Sequence, residues 1–181
     1  MKKIIFVFTL LSYLVGFGQD CEWNTTKDEK RGYRINFPLK PTAQSQEVPT
    51  AVGNVTMDMY MLDLSTDSSS KNVIYMTAYT EYPKDSDYSD EGLQNSMLDG
   101  AVSGAVENVN GDLISSDKIR FNGYNGRNAK IKIYNGTYII NLKNILVENK
   151  LYFLQVITVP KDDDNAEMNR FFESFDLIKT Q

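Results

Sequence analysis

The chain has 181 residues, with 24 acids against 19 bases, one cysteine and no histidine. That length fits a single domain, and the composition removes Ser-His-Asp and Cys-His catalysis together with zinc sites built from His and Cys. A net charge of −5 also argues against a nucleic-acid surface, because phosphates call for clustered bases.

The first stretch, "MKKIIFVFTLLSYLVGFGQ", reads as a secretory signal peptide over residues 1–18. Lys2 and Lys3 form the positive region, Ile4 to Val15 the apolar run, and Gly16 and Gly18 the small residues before cleavage. The apolar run is too short to read as a membrane span. Cleavage after Gly18 leaves 17 bases against 24 acids, and a location that is secreted or periplasmic. Cys21 has Asp20 before it, a poor lipoprotein signal, so it is read as an idle thiol rather than a lipid anchor.

Residues 19–31 are polar around a lone Trp23 and are expected to be a flexible lead-in to a domain over residues 32–181. "YRINFP" alternates Tyr33, Ile35 and Phe37 against polar partners, as a half-buried strand does. "TAQSQEV" suggests a more exposed strand. "NVTMDMYMLDL" places Val55, Met57, Met59 and Met61 on one face and Tyr60, Leu62 and Leu64 on the other. "VIYMTAYTE" is apolar on both faces and therefore central in a sheet.

A helix is predicted over residues 90–106, with Leu93, Met97, Leu98, Ala101, Val102 and Ala105 on one stripe and Ser89 or Asp90 as N-cap. Gly100 and Gly104 form a GxxxG that is expected to let its backbone lie close to a sheet. Beyond Asp112 the pattern is all β. "LISSDKIRF", "RNAKIKIY", "TYIINLKNILV" and "LYFLQVITV" are separated by "NGYNG", Asn135-Gly136 and "ENK", which gives three hairpins and an antiparallel meander. A second helix, capped by Asp164 or Asn165, carries Met168, Phe171, Phe172 and Phe175, and "DLI" adds a last short strand. The fold class is α+β: an antiparallel sheet with amphipathic helices packed against it.

Candidate chemistry is sparse. Gly123, Gly126, Arg127 and Lys130 resemble a phosphate loop, but a strand pattern follows where a helix N-terminus is needed. The segment is read as a bend and the two bases as surface charges. Asp85, Asp87 and Ser89 match the first ligands of a calcium loop, yet Asp90 stands where glycine is needed and Ser96 where glutamate is. The strand tyrosines and the methionines are read as core or sheet-edge packing. Tyr82 and Tyr88, in the loop before the first helix, join Trp23, Asp85, Asp87, Asp162 and Asp163 as candidate interaction residues.

"YRINFPLKP", "FNGYNGR", "LYFLQVI" and "RFFESFDL" together resemble the PsbP-like group, which also includes the Mog-type nuclear import factors, over about residues 31–179. The resemblance implies a central antiparallel sheet flanked by helices, no shared catalytic centre, and a role in binding or assembly. The expectation is a non-enzymatic extracytoplasmic module for a protein or cell-envelope partner, without cofactor or metal. A small-molecule or calcium-binding domain and a carboxylate-dependent hydrolase are the alternatives.

Overall fold

The computed structural model describes residues 22–50, 53–85 and 87–178. The expected signal peptide, its cleavage point at Gly18 and Cys21 lie outside them.

Among the described residues, ten strands and two α-helices run in the order β1 (Asn24–Asp28), β2 (Tyr33–Phe37), β3 (Thr42–Thr50), β4 (Gly53–Asp63), β5 (Asn72–Glu81), α1 (Glu91–Asn108), β6 (Asp112–Phe121), β7 (Tyr124–Ile133), β8 (Tyr138–Val147), β9 (Lys150–Thr158), α2 (Ala166–Glu173) and β10 (Asp176–Leu177). They form a seven-stranded antiparallel sheet, β3-β4-β5-β9-β8-β7-β6, and a small one, β1-β2-β10. The chain leaves the large sheet at β5, crosses in α1 to the far edge, and returns as the β6–β9 meander until β9 pairs with β5.

The polar lead-in departs from expectation, because residues 24–28 pair with β2 as β1. Its order comes from Asp28, which is buried and accepts bonds from the Arg31 backbone N–H at 3.0 Å and guanidinium at 2.7 Å. Arg31 also grips Asp58 of β4 at 2.6 Å, tying the small sheet to the large one.

Three hairpins make the meander, but their turns differ from the expected ones. Only Asn122-Gly123 bends between β6 and β7, with φ of 50° and 88°, while Tyr124 to Gly126 already belong to β7. Both values are positive, as the tight primed hairpin turns require. Asn135-Gly136 sits inside a four-residue connection over residues 134–137, so Tyr134 leaves the sheet and is 76% exposed.

Both faces of the large sheet carry cores. On one, Tyr33, Ile35 and Phe37 of β2 and Met168, Phe171 and Phe175 around α2 pack on Leu62, Tyr75, Tyr79, Tyr152, Leu154 and Val156. On the other, Leu98 and Val102 of α1 pack on Ile131, Ile140, Leu142, Leu146 and Leu151. Asp90 caps α1 by accepting from the Leu93 N–H at 2.6 Å, and Asn165 caps α2 from the Met168 N–H at 2.9 Å. Each satisfies one of the helix's orphan donors. Gly100 and Gly104 do not approach the sheet; both are exposed, with open space where a β-carbon would stand.

Candidate functional site

The Gly123–Lys130 segment is built for packing. Gly126 lies in β7, where a β-carbon would run into the backbone oxygen of Asn144 on β8. That close approach needs glycine, whereas Gly123 serves the turn. The backbone amides of β7 are committed to the ladders with β6 and β8, so no set of them converges on an anion.

Arg127 is a correction to the surface-charge reading. It is 2% exposed and lies beneath α1, donating to Asp99 at 2.6 Å, Asn95 at 2.9 Å and the Gly126 carbonyl at 3.0 Å. Directly across on β8, Asn144 is fully buried with neither amide atom hydrogen-bonded among the described residues. Lys130 is also engaged: it points to the opposite face and contacts Asp163 at 2.6 Å and Asp164 at 3.0 Å. Burial opposes ionisation of Asp163, but Lys130 and the Asn141 amide more than offset it and hold its pKa below the usual carboxylate value.

The seven candidate interaction residues fall into two groups on opposite sides of the sheet. Tyr82, Asp85, Asp87 and Tyr88 lie in the loop that joins β5 to α1. Backbone and side-chain bonds between Tyr82 and Asn149 fix that loop to the β8–β9 turn. Within it, Asp87 accepts from the N–H and hydroxyl of Ser89, and Tyr88 donates to the Pro83 carbonyl at 2.6 Å. Tyr82 packs half-buried beside Leu98 and Leu151, and burial raises its phenol pKa. Trp23, Asp162 and Asp163 sit on the α2 side. The Trp23 ring lies edge-on to Tyr75, with the Arg170 guanidinium 4.6 Å from its centroid. Asp162 and Asp163 follow β9 at its far end, remote from the loop that pairs with its beginning. Among the described residues no three acids, thiols or imidazoles gather as a metal site would require.

A polar cleft of about 290 Å³ opens on the α2 side, lined by Asp117, Asn128, Lys130, Lys143, Asn169 and Phe172, among others. Burial lowers the Lys143 pKa, Glu173 opposes the shift, and the ammonium rests 5.3 Å from the Phe172 ring centroid.

The feature hidden from sequence patterning is an open half-face on the α1 side. Helix α1 lies over β7 and β8 and the edge of β6. Beyond it, register aligns three rows across β9, β5 and β4: Phe153–Ala78–Met59, Gln155–Met76–Met61 and Ile157–Ile74–Asp63. Gln155, Ile74, Met76, Met57 and Met61 are only half-buried, and Phe153 and Ile157 are half-buried where the face meets the core beneath α1. On the other face of the same strands Tyr75, Thr77, Leu154 and Val156 are 0% exposed. One face is sealed and the other is not. Spacing alone does not distinguish them, because both alternate with the same period.

No family model and no curated protein sequence matches the chain. Comparison with solved structures does give a match. The solution structure of cyanobacterial PsbP (CyanoP) from Synechocystis sp. PCC 6803 superposes with a TM-score of 0.55 at 14% identity, covering 90% of this chain and 96% of that one. The fold is PsbP-like. At that identity the PsbP-like likeness concerns architecture alone, and it agrees with the expected antiparallel sheet flanked by helices. PA94 from Pseudomonas aeruginosa, a protein of unknown function, aligns with a TM-score of 0.33 and 9% identity over 77% of this chain and 85% of its own.

Proposed function

We propose that the chain is a non-enzymatic binding module that works outside the cytoplasm and holds a protein partner on the open half-face of its sheet. The observation that carries this is the asymmetry of β4, β5 and β9, sealed by β2 and α2 on one side and half-exposed on the other. Apolar patches left uncovered mark docking sites more often than accidents of folding. Methionine suits such a surface, since its unbranched, polarisable side chain adapts to different contours.

Charge specifies the partner. The rows across the open face carry no base. Asp63 stands at one end of them, and the adjoining loop at the other carries Asp85, Asp87 and Asp90 against the single base Lys84. An apolar segment flanked by Lys or Arg therefore fits best, with the acids steering its approach. Tyr82 and Tyr88 belong to this surface, whereas Trp23, Asp162 and Asp163 lie behind it. The missing histidine and the commitment of Asp28, Asp58, Asp163 and Asp164 to ion pairs with Arg31 and Lys130 support a role without catalysis. An extracytoplasmic location rests on the lysines and apolar run of residues 1–18.

A photo-crosslinking residue placed at Gln155 or Gln44 on the open face, compared with one at Thr25 on the far side, tests the surface in cells. The expected outcome is one discrete adduct from the first two positions, weakened by salt and by Asp63→Lys. Adducts from Thr25 alone, or equal adducts from all three, would sink the assignment. N-terminal sequencing of the mature protein tests the location, with Gln19 as the expected first residue.

A further inference from the structure

We infer that Met59, Met61 and Met76 form a thioether site for a soft monovalent cation, Cu(I) or its redox-inert counterpart Ag(I). The inference goes beyond partner binding and does not depend on it. Four of the chain's seven methionines fall on the open half-face: Met57, Met59 and Met61 along β4, and Met76 on β5. The sealed side of β4 uses Tyr60 and Leu62 instead. Alternation puts the β4 methionines on one side at steps of about 6.6–6.8 Å, and the register sets Met76 directly beside Met61 and diagonal to Met59.

Three features turn that array into a site. The register neighbour of Met59 on β5 is Ala78, which is 1% exposed, so the longer side chains around it cover it. Met59 and Phe153 stand across the strands from it and Met76 and Thr80 beside it on that face, so the two methionines flank one small residue. Half-burial of Met61 and Met76 leaves a route for an ion while excluding most water. The thioethers are the soft donors of these rows, and the oxygens beside them are the neutral amides of Gln44 and Gln155, with the carboxylate of Asp63 a row away. Thioether sulfur favours a soft cation over Ca²⁺, Mg²⁺ or Zn²⁺, and three neutral sulfurs suit a monovalent charge in a low-dielectric surface. Met57, one step beyond Met59 and beside Gln46, sits at the rim.

The test uses the mature chain with Cys21→Ser, so that the thiol does not compete, and methionine methyl groups labelled for NMR. Silver nitrate is titrated in chloride-free buffer, and Cu(I) is then supplied from a chromophoric competitor. One equivalent is expected to shift the methyls of Met59, Met61 and Met76 and to leave Met97 and Met168 in place. Met59→Leu with Met61→Leu keeps the apolar volume and is expected to weaken binding by about tenfold or more, as loss of metal-site groups does. Met76→Leu is expected to act in the same direction, and Met97→Leu to have no effect. Absence of shifts, shifts spread evenly over all methionines, or unchanged affinity in the leucine variants would overturn the site. Should a leucine variant fold poorly, the shift map of the parent chain still decides. Because leucine preserves the apolar face, crosslinking to the protein partner is expected to survive these substitutions, which separates failure of the metal site from failure of the docking surface.

Discussion

Arg127 and Asp99 form an ion pair in which the two ends live in different media. The Arg127 side chain is 3% exposed and that of Asp99 60%. A buried cation left without its partner costs about 3–5 kcal/mol, whereas an exposed carboxylate left alone is rescued by water. Asp99→Ala is therefore expected to destabilise the protein more than Arg127→Met does, although Asp99 is the more exposed residue. Denaturant unfolding of the two variants checks the order, and equal losses would mean that Asn95 and the Gly126 carbonyl hold the guanidinium by themselves. The residues of this pair are visible in the sequence, but their meeting is not. They are 28 positions apart and come together only because α1 crosses β7.

Helix α1 shows how far an element can be read from its own residues. Its N-cap Asp90 and the stripe through Leu98 and Val102 follow from local chemistry and a 3.6-residue period, and both are present. The expected role of Gly100 and Gly104 is not. A glycine pair marks close approach only if another backbone lies on that side, and here the helix turns the pair outward. In an exposed helix interior glycine costs about 0.5–1 kcal/mol relative to alanine. Gly100→Ala and Gly104→Ala are each expected to raise stability by that amount, measured as a rise in melting temperature. A fall would show that the outer face of α1 is occupied.

Across the whole molecule, stability is bounded by acid on one side and by buried phenols on the other. Burial raises the pKa values of Tyr33, Tyr75 and Tyr79 and pushes Tyr152 up to about 12. A raised folded-state value means that these phenols contribute stability fully below the unfolded value of about 10, and that this contribution is lost as pH climbs beyond it. Asp58 and Asp163 run the other way. For both, burial raises the value and is outweighed by hydrogen bonds and charge, from Arg31 and Lys130 respectively. Their contribution is present above the unfolded value of about 4 and is lost as pH falls through the folded one. Melting temperature is expected to plateau between these limits, and Asp163→Asn to flatten the acid limb. An unchanged acid limb in that variant would remove Asp163 from the account, and an alkaline limb without phenolate absorbance would remove the tyrosines.

The sequence by itself determined the strands from β2 onward, the meander, the helix caps and the fold class, because period, turn chemistry and capping act between residues a few positions apart, whereas β1 owes its order to the distant partners of Asp28 and Arg31. Tertiary structure alone decided which face of β4, β5 and β9 stays open, that Arg127 is buried, and that Met76 stands beside Met61. The physical reason is that alternation gives both faces of a central strand the same apolar pattern. Which face is covered depends on where α1, β2 and α2 come to rest, and that is set by contacts between segments remote in the chain.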